Sequence, residues 1–232
     1  MTIHSHISKL QSKSRAEILQ RFFKTGPGEY AEGDVFLGLT VGQSRSIAKN
    51  FKDLPYSDLK ILLNSKIHEE RLISLIILSQ RYRKADENER KKIFTFLIKN
   101  RQGINNWDLV DTIAPAVLGP YLFEKDRTVL FKYAKSKNLW ERRIAIISTF
   151  YFLRQNDYQD TLKIAELLLK DEHDLIHKAV GWMLREVGKR DEKTEKKFLN
   201  KHAAIMPRTM LRYAIEKFPE KERQRYMKIK KA

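Results

Sequence analysis

Three stretches of this chain place a small residue at the centre of an apolar helical face, and the interval between them limits the fold most strongly. HEERLISLIIL has Ser74, WERRIAIISTF has Ala145 and IHKAVGWMLRE has Gly181. Gly181 lies 36 residues after Ala145, and Ala145 lies 71 after Ser74, close to twice that interval, with Val110 half-way between. A period in the mid-thirties with two helices per unit is the signature of a helical-repeat solenoid, in which neighbouring helix pairs bury one another's apolar faces. Apolar spacing predicts helices over 56–64, 67–84, 87–100, 106–117, 127–136, 139–154, 158–170, 174–189, 192–203 and 207–217. Pro55, Pro115, Pro120, Pro207 and Pro219 fall at or near their ends, where proline is tolerated. No period-2 alternation bounded by hairpin turns occurs. The expected fold is all-α: one domain over residues 1–232, a curved right-handed solenoid whose concave face is a groove for a long polymer.

Ahead of the repeats, Ile7, Leu10, Ile18, Leu19, Phe22 and Phe23 predict one helix over residues 4–23. TGPGEYAEGD then breaks the pattern as a loop over 25–34, and 42–52 reads as a short helix with Ile47, Ala48 and Phe51 turned inward. The tail KERQRYMKIKK is basic, either a solvated end or a phosphate contact.

Charge narrows the partner. Lys and Arg number 46 against 29 Asp and Glu, a formal charge of +17, and such an excess on a folded chain favours a polyanion, most often nucleic acid. Cysteine is absent, which removes disulfides, thiolate zinc sites, iron–sulfur clusters and Cys nucleophiles together. No run approaches the ~18 apolar residues of a membrane span, and MTIHSHISKLQSKSRAEIL lacks the apolar core of a signal peptide. The expectation is a cytoplasmic monomer, nucleoid-associated when bound to DNA, with no metal and no cofactor.

Within NNWDLVDTIAPAVLG, Trp107 and Asp111 stand i, i+4 on one helical face. An indole face beside a carboxylate is a cradle for a flat, cationic, electron-poor group. Each of the three tryptophans has an ionisable residue three or four positions away: Trp140 precedes Arg143, and Trp182 sits between Lys178 and Arg185. The plainer reading makes all three indoles core residues with solvated charges alongside. On the solenoid reading the three sets fall on successive repeats and meet on one concave surface. Asp108 is offset by 100° from Trp107 and reads as a helix-start or buried hydrogen-bonding residue. Arg142 competes with Arg143 and is assigned to solvent or to a neighbouring acid such as Glu141.

The blocks RFFKTGPGEYAEGDVFLG, NNWDLVDTIAP, NLWERRIAII, DLIHKAVGWMLREVGKRD and MPRTMLRYAIEKF, in that order, resemble the DNA alkylation repair enzymes, the alkylpurine DNA glycosylases built from HEAT/armadillo-like repeats. The resemblance implies that Trp107 and Asp111 of the WDxVD block are the tryptophan and catalytic aspartate. It implies that Arg143 lies near the lesion and the DNA backbone, and that Trp182 forms the other wall of the cleft. Phe22 is the nearest match to an aromatic on the early helix, in place of a tyrosine. Where the family reads FLGIRVPxLR, this chain reads FLGLTVGQSR. Thr40, Gly42 and Ser44 there are expected to loosen the helix start and remove one basic contact. Lys178, Arg185, Trp140 and Arg212 complete the candidate DNA contacts.

Chemistry fits a single carboxylate. A purine alkylated at a ring nitrogen carries positive charge and leaves readily, so catalysis needs stabilisation of an oxocarbenium-like sugar and a positioned water rather than the paired carboxylates of sugar hydrolases. The expected function is removal of positively charged N-alkylated purines, of the 3-methyladenine and 7-methylguanine type, from double-stranded DNA. The alternative is a non-catalytic helical-repeat protein holding damaged or structured nucleic acid, and a peptide-binding adaptor is disfavoured by the charge. His173 and His177 are spaced i, i+4 as in metal sites, but no third ligand or HExxH pattern accompanies them.

Overall fold

A computed structural model describes residues 2–229, helical throughout apart from turns and one isolated parallel bridge, Val35 to Ile67. The chain divides into two compact units, Met1–Ile113 and Ala114–Ala232. The first contains α1 (Ile3–Ser8), α2 (Lys13–Phe22), α3 (Val41–Asn50), α4 (Tyr56–Leu63), α5 (His68–Lys84), α6 (Glu87–Lys99) and α7 (Trp107–Ile113). The second opens on a π-helical turn, Ala114–Leu118, and continues through α8 (Gly119–Leu122), α9 (Thr128–Ala134), α10 (Leu139–Arg154), α11 (Gln159–Leu167), α12 (Asp174–Gly188), α13 (Glu192–His202), α14 (Arg208–Ala214) and α15 (Glu220–Met227).

The repeat read from small residues corresponds to packing. Ser74, Val110 and Ala145 are fully buried, and Gly181 is buried too. The Ser74 hydroxyl donates to Leu59 O at 2.9 Å, joining α5 to α4. A Cβ on Gly181 would stand 2.4 Å from Met210 O and 2.5 Å from the Tyr213 Cβ, so glycine lets α12 approach α14 closely. A second recurrence lies at the helix starts. Arg71, Arg142 and His177 each bond a carbonyl six residues back, on Ser65, Ser136 and Asp171, and so close the turn that leads into the long helix of each repeat.

Three expectations are corrected. The helix expected over 4–23 is two, because Ser12 is extended and its N–H donates to Leu37 O at 2.9 Å instead of continuing α1. Pro115 does not end the helix that holds Trp107. It lies inside the π-helical turn, whose wider hydrogen-bond spacing accommodates a residue that lacks an N–H. Part of the basic tail is ordered as α15: Tyr226 is fully buried and its hydroxyl donates to Asn200 Oδ1 at 3.0 Å. Lys230 and Lys231 of that tail lie outside the described residues.

Unit 2 also buries a charge-capable side chain without a counterion bonded to it. Glu195 of α13 is 1% exposed, its Oε1 has no hydrogen-bond partner, and burial pushes its pKa up to about 8. The unfolded carboxyl ionises near its ordinary value while the folded one keeps its proton until about pH 8, so stability falls across that window as pH rises. Glu195→Gln should therefore stabilise the protein at pH 8 by roughly 1–3 kcal/mol, read as a higher thermal midpoint, with the gain fading towards pH 4.5. A gain equal at both pH values would contradict this. Gly181→Ala should lower the midpoint by several degrees, matching about 1–3 kcal/mol of overpacking. An unchanged midpoint would mean α12 and α14 can part at no cost.

Candidate functional site around Trp107 and Asp111

The site in unit 1 is built on the first turn of α5, the sequence HEER. All four side chains are 2–6% exposed, and each holds a different piece of chain. His68 contacts Asp34 Oδ2 through Nδ1 at 3.3 Å and Asp108 Oδ2 through Nε2 at 2.8 Å. The Glu69 carboxylate accepts from the backbone N–H groups of Leu37, Gly38 and Leu39 at 3.0, 2.8 and 3.2 Å. Glu70 meets His4 Nδ1 at 2.9 Å. Arg71 donates to Asp34 Oδ2 at 2.6 Å and to Ser65 O at 2.8 Å.

Glu69 explains the FLG of the entering segment. Gly38 has φ +83, a left-handed conformation, and a Cβ there would stand 2.2 Å from Ser12 O. Only glycine lets the strap 37–39 lie under α2 while turning its amides onto Glu69. The start of α3 that follows is firmly made rather than loosened. Thr40 accepts from Gln43 N and the Gln43 side chain returns to Thr40 N, a reciprocal capping box.

Asp34 closes the glycine-rich loop onto the same cluster and joins it to α7. Its Oδ2 also accepts from the buried Asn106 side chain at 3.1 Å, while Asn106 Oδ1 accepts Trp107 N at 2.8 Å and Asn106 O accepts Val110 N at 3.1 Å. Asp108 is thus a hydrogen-bonding residue of the helix start, as its offset predicts. Burial disfavours the His68 cation, yet hydrogen bonds to Asp108 and Asp34 outweigh it and raise the pKa. Burial alone would raise the Asp34 pKa, but the bond to His68, the Arg71 charge and the Asn106 bond hold it below the ordinary carboxylate value. A carboxylate at each ring nitrogen thus favours the protonated form of His68.

Against this polar cluster lies a stack of rings. Trp107 stacks on Phe23 (5.3 Å, 11°), Phe23 on Phe36 (4.8 Å, 26°) and Phe36 on His68 (4.4 Å, 21°). One face of the indole is thereby covered by Phe23. Phe22, 63% exposed, stands edge-on to Trp107 at 6.2 Å. Trp107 and Asp111 lie one turn apart on α7 and both are half-buried. Unit 1 thus brings together Phe22, Trp107 and Asp111 on a base that fixes α7 from its N-terminus.

The remaining candidates are in unit 2. Arg143 is 5% exposed and donates from Nη1 to Leu175 O at 2.7 Å, so its guanidinium offers little surface to a phosphate. Arg142 is held by an acid, donating through Nε to Asp171 Oδ2 at 2.6 Å, with Asp171 in the place suggested for Glu141. Trp140 is half-buried in the first turn of α10, and Trp182 is half-buried mid-way along α12 against Phe150 at 5.5 Å, so the two do not occupy equivalent positions in their helices. Lys178 is ion-paired with Asp174 at 2.7 Å and Arg185 with Glu216. Arg212 is exposed and reaches Thr209 Oγ1 at 3.4 Å. The histidine pair is engaged with backbone: His173 Nδ1 accepts Leu175 N as the α12 N-cap, and His177 Nε2 meets Asp171 O. Among the described residues no group of three or more His, Cys, Asp or Glu forms a metal-binding set, and no helix is long and apolar enough to cross a membrane.

The HEER turn, Asp34 and Asn106 were not singled out by sequence reasoning. The available signal was four consecutive ionisable residues ahead of the unbroken apolar run LISLIIL, which leaves the charges no exposed face.

With the helical-repeat fold and the geometry around Trp107 and Asp111 described, comparison with known proteins gives the family. The sequence matches the family model described as DNA alkylation repair enzyme over residues 3–218, and the chain belongs to that family. Among solved structures, a predicted DNA alkylation repair enzyme from Enterococcus faecalis is similar at TM-score 0.71 and 15% identity, covering 90% of this chain and 97% of that one. AlkD2 and smu.31 from Streptococcus mutans are each similar at TM-score 0.56 and 15% identity, covering 94% of this chain and 100% of theirs. These likenesses establish the fold. No curated protein sequence matches the chain.

His68 gives a pH-dependent test of the cluster. A raised pKa means its stabilisation is complete below the ordinary histidine value and is lost as pH rises through the folded value. His68→Gln should cost about 3–5 kcal/mol at pH 6 by urea denaturation, and the gap to wild type should narrow by pH 9. A gap independent of pH would show that His68 is neutral in the fold.

Proposed function

We propose that this protein is a DNA glycosylase that hydrolyses the N-glycosidic bond of positively charged N-alkylated purines, of the 3-methyladenine and 7-methylguanine type, in duplex DNA. The reading is supported above all by Asp111 and Trp107 standing one turn apart on α7, in a member of the alkylation repair family, with α7 fixed by a buried charge network. The net charge of +17 suits the polyanionic substrate.

The cationic base is already activated, so no proton need be delivered to it. As the bond between C1′ and the purine nitrogen lengthens, the bonding pair moves onto the base and cancels its charge, while positive charge develops on the sugar. Asp111 faces that charge and lowers the barrier electrostatically. Water adds to C1′, its proton passes to the Asp111 carboxylate or to solvent, and free base and an abasic site result. The open face of Trp107 receives the cationic nucleotide, with the indole polarised from behind by Phe23, and Phe22 stands at its edge. On unit 2 we assign DNA contacts to Trp140, Trp182, Lys178, Arg185 and Arg212. Arg143, nearly buried, orders α10 against the start of α12 and adds positive potential. The enzyme works without a cofactor, as a cytoplasmic monomer.

Release of free methylated purine from methylated duplex DNA tests the assignment. Asp111→Asn should lower the rate by about 10²–10³ while leaving affinity for unmodified DNA within a few-fold. Wild-type release no faster than spontaneous depurination, with DNA still bound, would replace the enzyme by a damage-binding protein.

A further inference from the structure

Unit 1 carries a groove, not used above, between the exposed side of α3 and the C-terminal end of α5. Arg45, Ser46 and Lys49 of α3 and Gln80, Arg83 and Lys84 of α5 line an open space of about 610 Å³. No acidic side chain lines it. Arg45, Lys49, Arg83 and Lys84 are all exposed, and none is hydrogen-bonded or ion-paired among the described residues. Elsewhere in the unit Arg71 is paired with Asp34 and Lys92 with Glu89.

Such an arrangement costs stability in the free protein. Arg45 and Lys49 lie i, i+4 on one helix, where like charges repel, and they face two further cations across the groove. Cations near helix C-termini are favoured by the backbone dipole, which accounts for Lys49, Arg83 and Lys84. It accounts neither for Arg45, mid-way along α3, nor for the two helices turning their cations towards each other.

Position suggests the occupant. His68 and Arg83 lie fifteen residues apart on α5, about 22 Å at 1.5 Å per residue. His68 holds Asp108 and with it the start of α7, so the groove is about 22 Å along α5 from the point where α7 is held. Resting on the DNA-binding reading, we propose that the α3/α5 groove binds the phosphodiester backbone of duplex DNA flanking the nucleotide beside Trp107.

The full-length protein tests this without chemistry, by fluorescence anisotropy on an unmodified 24-base-pair duplex between 50 and 300 mM salt. The variant Arg45→Gln/Lys49→Gln/Arg83→Gln removes three charges from the groove. Lys91→Gln/Lys92→Gln/Lys99→Gln removes three from the face of α6, which lines a separate groove with Tyr56 and Phe96. All six side chains are exposed, and circular dichroism checks that both variants fold. Each phosphate contact contributes about 0.9 to the slope of log affinity against log salt. The groove variant should lower that slope by two to three and weaken binding at least tenfold at 150 mM salt, while the α6 variant changes the slope by less than one. Equal effects from both variants would reduce the groove to part of a diffuse positive field and overturn the proposal, as would an unaltered slope in the groove variant. Base release is measured separately, so a wild type that binds through the groove but excises nothing would sink the glycosylase and leave the subsite standing.

Discussion

Four consecutive buried ionisable side chains in the first turn of α5 organise the N-terminal unit. Burying charge is costly unless each group is bonded, and each of the four has at least one partner: His68, Glu70 and Arg71 meet ionisable side chains and Glu69 meets backbone amides, while Arg71 Nε has no partner. The bonds run to four separate segments: the glycine-rich loop through Asp34, the strap 37–39 through its amides, α1 through His4 and α7 through Asp108. Removing any partner would leave a charge uncompensated in a low-dielectric interior, so the network specifies one arrangement of those segments rather than merely adding to stability.

The proposed chemistry depends on that rigidity. A carboxylate stabilises developing charge only if it is held in place before the reaction begins, since a side chain or helix that must reorganise gives back what it gains. α7 is short, and its intrinsic helicity is small. It is held by Asn106 and Asp108 on the polar side and by the stack of Trp107 on Phe23 and Phe36 on the apolar side. The stack ends on the His68 ring, so the polar and aromatic halves of the support meet in one residue.

Much of the architecture was legible in the sequence because it rests on local periodicity. The intervals between Ser74, Val110, Ala145 and Gly181 reported buried positions, and the helix boundaries from residue 56 onward fall close to those expected. The misreadings are places where a distant partner overrides a local preference. Ser12 breaks the first helix because Leu37 supplies its hydrogen bond, and Tyr226 fixes a tail that composition alone presents as solvated, whereas Pro115 is absorbed locally, in a π-helical turn.

The same division holds at the candidate site. The sequence by itself determined that Trp107 and Asp111 share a helical face, that the chain is strongly basic and all-α, and that its motif blocks resemble the alkylation repair enzymes, because these follow from spacing and composition along one segment. Only the tertiary structure decided that one face of Trp107 is covered by Phe23, that Arg143 is buried against Leu175 O, and that Asp34, His68 and Asp108 form one charge network. Those facts are set by groups that lie 32 to 84 residues apart, and whether a charge is buried and what pairs with it depend on a fold that no single segment encodes.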